Sequence, residues 1–249
     1  MESIRWPGTR PKATPRRRFS YTAAAMNELL EEHTLSIFPL TGQLLLPGIY
    51  MPLNIFEERY LNMVEDALQG DGRIGMVQPM IPGLDNFGVP PLDLNDPELY
   101  PVGCCGQLEQ SEQQADGRYL IVLEGVVRFR IVRELKQVRG YRRVSADFAE
   151  FEIDRSAAKP AIDQQEILSV LDRFARQSDL EFDPDLLGSL SGRRLVNTLS
   201  AALPFTPVEK QALLEARSTE DRASLLTSLM AMDLETVTRT DSYSPPTIN

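Results

Sequence analysis

Few residues of this 249-residue chain are of types that do covalent chemistry, and their spacing brings none of them together. His33 is the single histidine, too few for a histidine-rich metal site, and it lies beside the N-terminal tail, where a Ser-His-Asp triad is not expected. Cys104 and Cys105 are the only cysteines. Adjacent cysteines resist the geometry of a disulfide, and a reactive thiol needs a neighbouring cation or histidine that this stretch lacks. A Ser-Lys dyad needs no histidine, but Lys136, Lys159 and Lys210 all sit in contexts that read as solvated. Glu57 and Glu124 have no local spacing that would pair them as acid and base. No G-x-x-x-x-G-K-[ST] phosphate loop and no G-x-S-x-G elbow occurs. Neither a cofactor nor a metal is expected.

The elements that carry these residues fall into two textures. Residues 35–155 are strand-like with one helix inserted, and residues 156–238 are helical. "GRYLIVLEGVVRFRIVREL" (117–135) gives the strongest strand signal. Its Val127, Phe129 and Ile131 alternate with Arg128 and Arg130, the period of a half-buried strand whose arginines face water. Asp116-Gly117 and Arg139-Gly140 mark turns on either side, and "YRRVSADFAEF" reads as the return strand. "GRIGMVQP" (72–79) and "GCCGQLEQSEQ" (103–113) are further strands. Many short strands with Gly and Pro at the corners predict a small barrel or curled sheet.

In "SIFPLTGQLLLPGIYMPLNIFEERY" (36–60), two short apolar segments flank a Pro47-Gly48 corner. A helix follows, with Ile55, Phe56, Tyr60, Met63, Val64, Ala67 and Leu68 on its apolar face and Gly70 as its stop. In the C-terminal half, four amphipathic helices are expected. Ile167, Val170, Leu171 and Phe174 form one stripe, and Leu195, Val196, Leu199 and Leu203 a second. Thr206, Pro207 and Glu209 make a capping box with proline at the first helical position. Ser218 caps the last helix, with Leu225, Leu229 and Met232 inward.

The chain carries a formal charge of −10, which disfavours broad binding to nucleic acid. Its first 25 residues run the other way, with six basic side chains against Glu2 alone. Residues 1–34 read as a basic, disordered tail, with residues 1–25 read alternatively as a stretch upstream of a start at Met26 or as an Arg-rich organellar transit segment, and residues 239–249 as a flexible tail. No run approaches the ~18 apolar residues of a membrane span, and the unpaired cysteines fit a reducing cytoplasm. The proline-rich stretch 79–101 lacks either period. As a long surface loop it offers Met80, Ile81, Leu84 and Phe87 as a sticky contact surface, or merely wraps the barrel.

Several motifs together resemble the Lon substrate-binding domain, the N-terminal region of ATP-dependent Lon proteases, and stand-alone bacterial proteins made of it. They are Phe38-Pro39-Leu40, Leu46-Pro47-Gly48, Pro52-Leu53, Ile55-Phe56-Glu57 and Arg59-Tyr60, then "GMVQP", "VGCCG" with Gly103, Cys104 and Gly106, "DGRYLIVLEGVVRFRI" with Gly125 and Arg128, and "PFTPVEKQALLEA". Asn54 stands where that family commonly has histidine, and Cys105 where an aliphatic is usual. The resemblance implies an α+β fold: a PUA-like β pseudo-barrel with one inserted helix, followed by a C-terminal α-helical subdomain. In it the first segment supplies an edge strand, Pro47-Gly48 turns the chain, a second strand ends at Pro52, and Glu57, Arg59 and Tyr60 form a structural clasp between helix and barrel in preference to a binding site. The implied function is non-catalytic binding of unfolded or exposed protein segments, or of a protein partner. The rival readings are a cryptic hydrolase and an RNA-binding barrel.

Overall fold

The computed structural model describes residues 33–80, 97–178 and 180–241, with side chains described as far as Met232. Six strands build the barrel: β1 (His33–Pro39), β2 (Tyr50–Ile55), β3 (Arg73–Val77), β4 (Val102–Gln113), β5 (Tyr119–Val138) and β6 (Tyr141–Asp147). Helix α1 (Glu58–Gln69) sits between β2 and β3, and a 3-10 turn (Ala149–Arg155) follows β6. The helical part comprises α2 (Gln164–Gln177), α3 (Pro184–Gly188), α4 (Gly192–Ala202), α5 (Pro207–Glu215) and α6 (Thr219–Asp241). Four helices were expected there; the fifth, α3, is a five-residue turn capped by Asp183.

Strands β1, β3, β4, β5 and β6 close on themselves, because β5 pairs with both β4 and β6 and β6 returns to β1. Only β1–β3 is parallel. The first strand is therefore interior to the sheet, not at its edge as expected; the edge belongs to β2, which pairs with β5 alone. The second strand also runs past Pro52 to Ile55. Counting in twos from the Gly125 N–H that donates to the Ile49 carbonyl at 2.9 Å, position 52 turns its missing N–H outward, where an edge strand tolerates proline.

Two contacts explain why glycines stand where they do. A Cβ on Gly125 would lie 2.2 Å from the Leu46 carbonyl oxygen, so only glycine lets the 44–48 loop cross β5. Inside the barrel the Phe129 ring occupies the space a Cβ on Gly75 or Gly103 would need, at 2.9 and 2.7 Å. Phe129 is fully buried, a side chain whose removal from water is worth about 2–3 kcal/mol.

Arg128 does not face water. Its guanidinium is fully buried, paired with Asp154 at 2.9 Å and donating to the Leu214 and Ala216 carbonyls at the end of α5. The strand period assigns it correctly to the outer face, but the helical part covers that face. Arg222 of α6 is buried alongside, donating to the Leu213 carbonyl at 2.7 Å and to Asn197 Oδ1 at 2.9 Å. Asn197 in turn donates to the Pro47 carbonyl at 2.9 Å, tying α4 to the turn before β2.

Other expectations shift in phase. Ile55 belongs to β2 and is buried, whereas Phe56 is 66% exposed and precedes α1 instead of lying on its apolar face. On α6 the buried residues are Arg222, Ala223, Leu226 and Met230; Leu225 and Leu229 are half-buried and Met232 is exposed. The Thr206–Glu209 capping box forms as read, and Ser218 Oγ accepts from the Asp221 N–H at 3.0 Å.

Candidate functional site: a groove beside the first helix

A groove of about 540 Å³ opens where four segments meet. They are the end of β1 with Leu40 and Thr41, the end of β2 with Phe56, the start of α1, and the β5–β6 hairpin; Pro79 and Pro97 close one side. Most of the motif residues of the 36–60 stretch converge here: Phe38, Pro39, Leu40, Leu53, Phe56, Glu57, Arg59 and Tyr60 all line it. Phe38 and Tyr60 rings pack at 4.3 Å, and the Arg59 guanidinium lies 4.9 Å over Tyr60. Arg59 also pairs with Glu57 at 2.7 Å, on the solvent side. Burial pushes the Tyr60 phenol above its ordinary pKa, with Arg59 opposing.

Tyr60 thus anchors α1 to the barrel through Phe38, while Glu57 and Arg59 bond to each other. The polar links between α1 and the barrel run further along the helix. Arg139, in the left-handed region at φ 49°, donates to Asp66 at 2.5 Å, Asn62 at 2.6 Å and Glu65 at 2.8 Å. Asn62 donates back to the Arg139 carbonyl, and the Tyr141 hydroxyl donates to Asp66 at 2.7 Å. Burial, then this bond to Asp66, raises the Tyr141 pKa. On the opposite side Arg142 bonds Glu134 and donates to the Pro97 carbonyl at 2.8 Å.

The lining is therefore an apolar floor with a rim of guanidinium and amide groups. Among its described residues there is no histidine, cysteine, serine or lysine. It presents an exposed aromatic side chain at Phe56, apolar surface, and the guanidinium and amide groups of Arg59, Arg142, Asn54 and Gln137.

The remaining chemical candidates lie elsewhere. Cys104 and Cys105 are free and buried in β4; burial pushes both thiols up, Cys105 to about 12. Gly103 and Gly106 flank them in the same strand. His33 begins β1, its ring 6.1 Å from Phe148. Lys210 is not solvated: it is 8% exposed, and its amine donates to the Gly42 carbonyl at 2.9 Å and the Ala201 carbonyl at 3.4 Å. The side chain folds back from α5 onto the barrel, which a helix-period reading does not register. Met80 is half-buried beside Pro79, while Ile81, Leu84 and Phe87 lie outside the described residues. Among the described residues, no group of three His, Cys, Asp or Glu side chains is placed to hold a metal ion, and no helix is long and apolar enough to cross a membrane.

Sequence reasoning missed the hairpin wall of the groove, Gln137, Tyr141 and Arg142. The Arg139-Gly140 turn was legible, but nothing local says that it folds over α1.

Comparison with known proteins places this architecture. Lon protease of Escherichia coli K12 is 25% identical over 218 residues, covering 84% of this chain and 26% of that protein. Lon protease 2 of Myxococcus xanthus is 26% identical over 205 residues, covering 79% and 23%. The chain thus spans about a quarter of the length of the curated relatives it matches. Among solved structures, a Lon N-terminal domain protein from Xanthomonas campestris aligns with a TM-score of 0.55 at 21% identity, covering 79% of this chain and 98% of that one. The N-terminal domain of the Mycobacterium avium complex Lon protease aligns at 0.54 and 16% identity, covering 80% and 98%. The family model for the ATP-dependent protease La (LON) substrate-binding domain matches residues 34–232. On that match, the chain belongs to the Lon substrate-binding domain family.

Proposed function

We propose that this protein is a non-catalytic module that grips exposed segments of other protein chains in the groove beside α1, as an adaptor or holdase in protein quality control. The observation that carries the reading is Phe56. A large aromatic side chain, 66% exposed, stands at the mouth of a groove floored by Phe38, Leu40 and Leu53. Exposed aromatics beside apolar pockets are the usual anchors of protein contacts.

The family supports the same reading, since its description is of a substrate-binding domain. The lining chemistry agrees: it offers apolar area, a guanidinium at Arg59 and the amides of Asn54 and Gln137, with no histidine, cysteine, serine or lysine among the described lining residues. Lys210, the amine a hydrolase would recruit, is spent on two backbone carbonyls. Two buried free thiols fit a cytoplasmic, reducing setting. The test is a titration of a labelled peptide rich in Leu and Phe against the wild type and Phe56→Ala. Saturable binding weakened by the substitution supports the reading; equal binding by both removes it.

A further inference from the structure

One helix of the helical part holds two neighbouring segments of the groove lining. The Gly42 N–H donates to Gln78 Oε1 at 3.0 Å, and the Gly42 carbonyl accepts from Lys210 Nζ at 2.9 Å. The Gln78 amide donates in turn to the Pro207 carbonyl at 3.0 Å and to Gln211 Oε1 at 3.2 Å, both on α5. Gln78 is 2% exposed and Lys210 8%. Leu40 and Thr41, just before Gly42, and Pro79, just after Gln78, line the groove on neighbouring segments, the Leu40 N–H donating to the Val77 carbonyl at 2.9 Å. Both peptide groups of Gly42, a residue at φ +71°, are thus held by side chains that belong to α5 or are bonded to it.

A buried ammonium held only by carbonyls adds little net stability, because desolvation offsets the hydrogen bonds. Its effect is to fix where the Gly42 peptide lies. An apolar side chain would pack there as well and leave the wall free to move.

We propose that Lys210 and Gln78 are positioning residues for the groove, coupling the seating of an extended, apolar-rich protein segment against Leu40 and Thr41 to the docking of α5 on the barrel. The proposal rests on the groove being the binding site. Coupling of this kind is reciprocal: if docked α5 favours the bound segment, the bound segment favours docked α5 by the same factor. The helical part then registers whether the groove is filled.

The experiment is an anisotropy titration of a fluorescein-labelled peptide rich in Leu and Phe, using the full chain. The variants are Lys210→Met, Gln78→Leu, Phe56→Ala and Leu226→Ala, the last a core truncation in α6 that takes no part in these hydrogen bonds. Lys210→Met and Gln78→Leu are expected to bind about 5- to 20-fold more weakly than wild type, with Leu226→Ala unchanged. Wild-type binding by Lys210→Met and Gln78→Leu while Phe56→Ala is weakened overturns the coupling and leaves the groove standing. Equal weakening by Leu226→Ala also overturns it, since general loosening would then suffice. An unaffected Phe56→Ala removes the groove reading itself, and the coupling with it. Should Lys210→Met fail to fold, the wild type decides: saturating peptide must slow hydrogen exchange of the α5 amides, and unchanged exchange contradicts the proposal.

Discussion

Arg128 in the wall of the barrel and Asp154 in the turn after β6 form a bidentate pair, with both side chains buried. Arg128 spends its remaining donors on carbonyls at the end of α5, so a single side chain joins strand, turn and helix. Its guanidinium also lies 4.6 Å over the Phe151 ring. Removing one member of a buried pair strands the other's charge. Arg128→Met and Asp154→Asn should each lower unfolding free energy by about 3–5 kcal/mol. The double variant should lose clearly less than the sum. Urea denaturation of the four proteins measures this, and additive losses would count against the pair acting as a unit.

Gly125 admits no side chain because the Leu46 carbonyl sits where its Cβ would be. Gly125→Ala should therefore cost about 3 kcal/mol or abolish soluble expression. Gly117→Ala, at a turn with open space around it, should cost much less although Gly117, unlike Gly125, has a positive φ. Thermal melts of the two variants compare them directly.

Burial lowers the Lys210 pKa below its ordinary 10.5. Below the folded value both states carry the proton, and the cost of burying the charge is fully present. Between the folded value and 10.5 the unfolded chain binds more protons, so stability rises with pH relative to a chain without this amine. The difference in urea midpoint between wild type and Lys210→Met should shift in favour of wild type as pH climbs through that window. A difference that stays constant would contradict the burial.

The Glu57–Arg59 pair is exposed on both sides, so its removal should hardly register in stability. Arg59→Ala should leave the melting curve in place within the scatter of surface substitutions, while Tyr60→Ala, which empties the space against Phe38, should cost about 3 kcal/mol. Circular dichroism melts decide between a structural clasp at Arg59 and one carried by Tyr60 alone.

What the sequence made legible was what is local. The capping box at Thr206 depends on four neighbouring residues, and the turns at Gly117 and Gly140 on one or two. Arg128 shows where that reading stops. A period of two says which side of the pleat a residue takes, but not that a distant helix will cover that side. Phe56 shows a second limit, because apolar residues continue across the junction of β2 and α1 and the helical period absorbs them. In α6, Leu225, Leu226, Leu229, Met230 and Met232 leave several phases open, and only packing against α2 and α4 selects the one with Leu226 and Met230 inside. Of the groove, the motif residues were marked, but as a structural clasp and not as a contact surface, and the hairpin that closes it comes from more than 70 residues away and has no signature.

The central claim is that the groove beside α1 takes hold of extended protein segments through Phe56. Its most direct test is the dissociation constant of one labelled Leu- and Phe-rich peptide for wild type and Phe56→Ala, with melts run in parallel. The account predicts binding weakened by about 2 kcal/mol, roughly 30-fold, and melting temperatures that coincide. Equal affinities from two equally folded proteins would contradict it.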